Sequence, residues 1–278
     1  MGKFRLGLVG DNIAASRAPD LHHAAAQICG IDLVYERLVP RQLGLTLDTL
    51  IDRAKEQGLR GLNITHPYKE RILQFVTIED STVKAIGACN TVLFNARIIG
   101  LNTDHTGYIE AFKGRFGDVL PGAVAMAGCG GAGKAIGFAL AQLGAKSLKL
   151  FDADERKSRT LADALLGVQR RMDVFVAPSL ALACEGVDGL VNCTPLGMTG
   201  YEGNAFNDVQ LKGKRWLCDA VYTPVKTAFL REGEAAGLEI LSGYELFLYQ
   251  GIHAFKLFTG RSVDAMTLRG MLAKSQIT

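Results

Sequence analysis

The sequence predicts an α/β fold in two domains, the second built on a largely parallel sheet. Three features carry that expectation. Short apolar runs alternate with amphipathic stretches along the chain, a glycine-rich turn separates a strand pattern from a helix pattern near residue 130, and the alternation restarts near residue 104. A length of 278 residues suits two domains, and 48% apolar against 21% charged residues excludes an intrinsically disordered chain. No Pro/Ser-rich linker marks the boundary, which rests on the restart alone.

In the first half, residues 4–10 read as a strand that runs into the polar turn at Gly10-Asp11-Asn12. Pro19 suits the first turn of a helix over 19–28. A strand over 33–38, a helix over 43–56 and a strand over 61–65 follow, then a helix opening near Pro67 and another around 77–86. Residues 90–94 and 98–101 flank Asn95-Ala96-Arg97 as a hairpin. The second half begins with a connecting helix over 104–116. Strands are expected at 123–127, 147–151, 189–193 and 216–221, and helices at 134–143, 158–166, 227–236 and 244–259.

Composition excludes several functions. Lys and Arg number 31 against 28 Asp and Glu, with no long basic block, so a nucleic-acid partner is not expected. No uninterrupted apolar stretch reaches the ~18 residues of a membrane span, and the first apolar run is too short for a signal peptide. Cys29, Cys89, Cys129, Cys184, Cys193 and Cys218 are scattered without a CxxC pair, which reads as reduced thiols in a cytoplasmic protein. The five histidines, His22, His23, His66, His105 and His253, show no metal-ligand spacing, and no metal site is expected.

The turn Gly128-Cys129-Gly130-Gly131-Ala132-Gly133 has the G-x-G-x-x-G spacing, directly after a strand and before a helix. In a dinucleotide-binding turn the first glycine allows the bend, the second lets the backbone approach a pyrophosphate, and the third permits close helix packing. The helix N-terminus then offers N–H groups and partial positive charge to the phosphates. Asp152 follows Gly133 by 19 positions, at the end of the next strand, where a carboxylate accepts the ribose hydroxyls of NAD and repels a 2′-phosphate. Asp154 and Glu155 add negative charge. Arg156, Lys157 and Arg159 argue the other way, either as phosphate contacts or as a solvated helix start. NAD is favoured over NADP.

Polar residues gather at strand ends in the first half, where loops hold function. Ser16 is a helix cap or a ligand contact. Thr65 is positioned to cap the helix expected at Pro67, which places Lys69 in a first turn where a cation opposes the helix dipole. Asn102 and Asp104 stand at the start of the connecting helix, as caps or as site residues.

Together these segments resemble the shikimate/quinate dehydrogenase family. The resemblance rests on Ser16-Arg17-Ala18-Pro19, Asn63-Ile64-Thr65-His66-Pro67-Tyr68-Lys69, Gly87-Ala88-Cys89-Asn90-Thr91 and Asn102-Thr103-Asp104. It continues through the glycine turn, Asn192-Cys193-Thr194-Pro195-Leu196-Gly197-Met198, Asp219-Ala220-Val221-Tyr222-Thr223-Pro224 and Tyr249-Gln250-Gly251, in family order over nearly the whole chain.

The resemblance implies a substrate-binding domain over 1–104, completed by C-terminal helices within 245–278 that pack back on it, and a Rossmann dinucleotide-binding domain over 105–244, with ligands meeting in a cleft between them. It implies an oxidoreductase that interconverts a ring hydroxyl and ketone, shikimate with 3-dehydroshikimate or the corresponding change in quinate. Lys69 and Asp104 are then the catalytic pair. Ser16, Thr65, Asn90, Tyr222 and Gln250 contact the substrate, and Gly128, Gly130, Gly131, Ala132, Gly133, Asp152, Thr194, Met198 and Gly243 hold the dinucleotide. The expected partner is a small molecule, in a monomer or homodimer.

Two departures from the family pattern bear on this. Ala18 stands where the family has a second hydroxyl on the substrate carboxylate, and Asp152-Ala153-Asp154 replaces the Asn-Arg-Thr of members that use NADP. They imply a NAD-linked catabolic or paralogous member. The alternatives are action on aminoshikimate or another cyclic polyol, and a dinucleotide-binding regulatory protein without turnover.

Overall fold

A computed structural model of the chain describes residues 3–168 and 171–274. Residues 275–278 of the expected closing segment lie outside them. The chain divides into two compact units. One is formed by the chain up to Thr103 together with the segment from Leu248 onward, and the other by Asp104–Phe247. Asp104 thus belongs to the second unit.

The first unit opens with β1 (Phe4–Val9), α1 (Ala18–Ile28), β2 (Leu33–Leu38), α2 (Pro40–Leu43), α3 (Leu47–Glu56) and β3 (Gly61–Ile64). A 3-10 turn at Arg71–Phe75, α4 (Ser81–Ile86), β4 (Thr91–Phe94) and β5 (Ile98–Leu101) complete this stretch. Its sheet runs β2-β1-β3-β4-β5. β1 is parallel to β2 and β3, and β4 is antiparallel to β3 and β5. Leu50, Ile51, Leu62, Ile64, Ile72 and Val92 form one core cluster. Each large aliphatic side chain removed from water contributes roughly 1.5–3 kcal/mol.

Three expectations are corrected here. The helix expected over 43–56 is two helices: Gly44 ends α2 at φ +65°, a conformation that favours glycine, and the amide of Thr46 donates to Thr49 Oγ1 (3.1 Å) at the start of α3. No α-helix opens at Pro67. The Lys69 carbonyl accepts from the Cys89 amide (2.8 Å), and the Thr65 carbonyl from the Tyr68 amide (2.9 Å), so these groups bond to other partners than a helical ladder. The helix-dipole argument for Lys69 falls with that helix. The helix expected over 77–86 begins only at Ser81, because Asp80 accepts from the amides of Thr82 (2.7 Å) and Val83 (3.0 Å) while Thr77 bonds to β5.

The second unit begins in α5 (Thr103–Phe116) and continues through β6 (Ala123–Ala127), α6 (Gly131–Gln142), β7 (Ser147–Phe151), α7 (Glu155–Val168), β8 (Asp173–Val176) and α8 (Leu180–Ala183). β9 (Gly189–Asn192), β10 (Trp216–Asp219), α9 (Ala228–Ala235) and β11 (Glu239–Ser242) follow. Its six strands run β11-β10-β9-β6-β7-β8, all parallel, which is the doubly wound Rossmann order. Of these elements, β8, α8 and β11 escape the sequence reading. Each is four residues long, too short for a periodic signal. β10 stops two residues early because the Val221 amide turns back to Asp219 Oδ1 (3.0 Å).

The chain then runs through α10 (Gly243–Thr259) into α11 (Ala265–Lys274). The later part of this segment packs within the first unit. A Cβ on Gly61 would lie 2.4 Å from the Phe258 ring and one on Gly251 2.6 Å from Leu21, while Arg17 donates to the Leu272 carbonyl. His22 is buried there, stacked on Tyr35 at 4.6 Å and bonded to Asn63, whose Oδ1 also accepts from the Tyr35 hydroxyl (2.9 Å). Burial pushes its imidazole down to about 3, so it is neutral.

Among the described residues, no helix is long and apolar enough to cross a membrane. Among the described residues, no disulfide joins the six cysteines. Cys29 and Cys193 are half-buried and the other four buried.

Candidate active site

In a doubly wound sheet, ligands bind beyond the carboxyl ends of the strands where the order reverses, here between β6 and β9. The glycine turn follows β6 at that point. Gly128 adopts φ +94°, and a Cβ there would meet the Cys193 carbonyl carbon at 2.7 Å, so the loop after β9 lies directly against the turn. Gly133 packs still closer, its ideal Cβ 2.1 Å from the Gly128 carbonyl oxygen. Gly130 is different, since a Cβ there would meet nothing within 4 Å. It precedes α6 without a side-chain cap. The bend, the open approach and the tight packing therefore fall on the first, second and third glycines. A pyrophosphate fits this bare helix start.

Asp152 sits beside the turn, one residue past β7. Its Oδ2 accepts from the Cys129 amide (2.7 Å) and its Oδ1 from the Asp154 amide (2.9 Å). Each oxygen keeps a lone pair for a ribose hydroxyl. Asp154 binds Arg156 through both oxygens (2.9 and 3.0 Å), and Glu155 pairs with Arg159 (2.6 Å). Two of the three basic residues considered as phosphate contacts are thus paired with neighbouring acids. Burial pushes the Cys129 thiol in the turn up to about 12, which leaves it protonated and unreactive.

Thr194 and Met198 lie on the loop after β9, and Tyr222 on the loop after β10. Tyr222 is half-buried and stacks on Phe247 with ring centroids 4.7 Å apart. The two loops are tied together where Thr199 donates its amide (2.8 Å) and hydroxyl (3.2 Å) to the Thr223 carbonyl. Gly243 starts α10 against the backbone of the second loop: a Cβ would lie 2.4–2.7 Å from the carbonyls of Val221, Asp219 and Ala220. Beneath both loops lies a buried network that sequence reasoning missed, formed by Asn192 and Asp219 at the paired ends of β9 and β10. The available signal was polarity: each ends a strand that is buried throughout.

In the first unit, Thr65 extends β3, its amide donating to the Val9 carbonyl (2.9 Å), and its Cγ2 would touch a Cβ on Gly10. Lys69 is half-buried and its backbone is joined to Cys89, next to Asn90, so Thr65, Lys69 and Asn90 come together at one end of the sheet. The Asn90 oxygen accepts from the Thr103 amide (2.7 Å) and the Thr91 hydroxyl (3.0 Å), and its amide donates to Thr103 Oγ1 (3.0 Å). Ser16 accepts from the Ala18 amide (3.3 Å) and does not cap α1, whose N-cap is Arg17. Arg37 donates to the Ser16 carbonyl (2.9 Å). Gln250 is half-buried on α10 in this unit, and Asp104 is buried in the first turn of α5 in the other.

Fold and turn together define a two-unit α/β protein with a Rossmann unit suited to a dinucleotide. The family profile for the shikimate dehydrogenase substrate binding domain matches residues 8–92. A quinate/shikimate dehydrogenase (NAD(+)) of Corynebacterium efficiens is 35% identical over 271 residues, covering 95% of each chain. A shikimate dehydrogenase (NADP(+)) of Arthrobacter sp. strain FB24 is 33% identical, covering 99% of this chain and 97% of its own. The solved quinate dehydrogenase of Corynebacterium glutamicum in complex with NAD superimposes with a TM-score of 0.88 at 33% identity, over 98% of this chain and 99% of its own. The chain belongs to the shikimate/quinate dehydrogenase family.

Proposed function

We propose that the protein is an oxidoreductase that interconverts a ring hydroxyl and ketone of shikimate, quinate or both, with NAD as its coenzyme. The observation that carries this reading is the seat of Asp152 beside the glycine turn, in a chain that matches its family along 95% of its length. The unit up to Thr103, with the segment from Leu248 onward, takes the substrate role, and Asp104–Phe247 the dinucleotide role. Gly128, Gly130, Gly131, Ala132 and Gly133 would hold the pyrophosphate, Asp152 the ribose, and Thr194, Met198 and Gly243 the nicotinamide end.

The chemistry that the coenzyme supplies when bound is hydride acceptance at the nicotinamide. The remaining work falls to side chains. Lys69 Nζ as the neutral amine takes up the hydroxyl proton, and as the ammonium cation so formed it hydrogen-bonds the developing carbonyl oxygen, a task for an amine on a flexible stem. The Asp104 carboxylate orients that cation and accepts from a second ring hydroxyl. Ser16, Thr65, Asn90, Tyr222 and Gln250 select the acid by hydrogen bonds to its carboxylate and hydroxyls. An analogue lacking one of those hydroxyls would leave a polar side chain unpaired.

Steady-state assays with shikimate, quinate and aminoshikimate, each with NAD and NADP, test the reading. Turnover of shikimate or quinate with NAD as the better coenzyme is expected. A clear preference for NADP rejects the coenzyme assignment, and turnover of aminoshikimate alone rejects the substrate assignment.

A further inference from the structure

Asp219 ends β10 wholly buried, with partners at the end of β9 and on the segment after β10, at the carboxyl edge of the sheet. Its Oδ1 accepts from Asn192 Nδ2 (2.9 Å) and the Val221 amide (3.0 Å), and its Oδ2 from the Thr227 hydroxyl (2.6 Å). Asn192 passes the constraint on. Its Oδ1 accepts from the Thr194 amide (3.0 Å) and hydroxyl (2.7 Å), and its Nδ2 also donates to the Leu196 carbonyl (3.1 Å).

All the donors are neutral, and among the described residues no cation is bonded to this carboxylate. Burial accordingly pushes it up to about 6. A buried anion held only by dipoles costs stability. Simple loop anchoring does not explain the charge, because an amide would keep the Oδ1 acceptor. The difference lies at Oδ2. Thr227 Oγ1 already accepts from the Leu230 amide (3.3 Å) at the start of α9, so its own proton points at residue 219, and only an oxygen can receive it there.

We infer that Asp219 is a positioning residue of the proposed dehydrogenase: through Asn192, Val221 and Thr227 it fixes the two loops that carry Thr194, Met198 and Tyr222. Asp219 touches no reacting atom in this scheme and acts on the geometry of the loops alone. The kinetic side of the inference rests on the reaction given above, and the binding side only on a dinucleotide site in this unit.

The test uses the purified full chain with Asp219→Ala, Asp219→Asn, Thr227→Val and Thr227→Ser. NADH affinity is read by fluorescence titration, kcat and KM with the acid substrate at saturating NAD, and thermal melting as a control. Asp219→Ala is expected to weaken NADH about tenfold. Its kcat should fall about 100-fold, the size expected of a small misplacement near a reacting centre, with a smaller rise in the KM for the acid through the displaced Tyr222. Thr227→Val should give the same pattern in smaller measure, with recovery in Thr227→Ser and partial recovery in Asp219→Asn. Should Asp219→Ala fail to fold, the Thr227 pair decides.

Folded variants that melt earlier yet bind NADH and turn over like the parent overturn the inference and leave the carboxylate a structural role. A parent chain inactive on both acids overturns the proposed reaction, and the NADH titration still decides whether Asp219 positions the loops. A parent that binds no NADH overturns both.

Discussion

In the proposed scheme the coenzyme choice falls to Asp152, whose two oxygens are already oriented by backbone amides. Asp152→Asn keeps the size but loses one acceptor, so catalytic efficiency with NAD should fall about tenfold or more and the gap to NADP should narrow, measured by kinetics with both coenzymes. Lys69→Ala should lower kcat by about 10²–10⁴-fold while NADH affinity is kept, since its assigned work is proton transfer. An unchanged kcat would remove Lys69 from the mechanism.

His22 makes a prediction about pH. Its folded value, about 3, lies below the usual 6.5, so between those limits the unfolded chain binds more protons than the folded one. Its contribution to stability is present in full above about 6.5 and is lost as pH falls toward 3, on the order of a few kcal/mol in total. Denaturant titrations from pH 7 to pH 4 should show this loss, and His22→Gln should flatten it.

At the scale of elements, the glycine motif and the place of Asp152 at the end of the next strand were legible because the pattern is local: a strand, a six-residue glycine motif and a helix occur in one stretch of sequence. Gly133→Ala places a methyl group against the Gly128 carbonyl, and the expected cost is about 1–3 kcal/mol with weakened NADH binding, read by melting and titration. The segment after β3 was misread for the opposite reason. Proline before a polar stretch signals a helix start, but the Lys69 carbonyl finds its donor at Cys89 on a remote part of the chain. The Asn192–Asp219 pair was hidden in the same way, its members 27 positions apart in sequence and neighbours only through sheet register. Four-residue elements such as β8 and β11 carry too few side chains for a periodicity to emerge, and their place is set by the strands beside them.

At the scale of the molecule, the α/β class was readable because each unit repeats its own alternation of strand and helix. What the alternation does not reveal is that the first unit is discontinuous. It takes Phe255, Phe258, Leu268 and Leu272 from the end of the chain into its buried set, whereas the second unit is one unbroken segment. A chain ending at residue 247 should therefore keep the dispersed amide spectrum of the second unit and lose that of the first, measured by NMR. Retention of both would deny the closing helices this role.

Growth on the ribosome proceeds from the amino end, and domains ordinarily mature in that order. Here the order is crossed: the first unit takes part of its buried set from residues 255–272, which are made after the whole Rossmann unit. During synthesis the strands over residues 4–101 therefore wait for that segment before their buried side is complete.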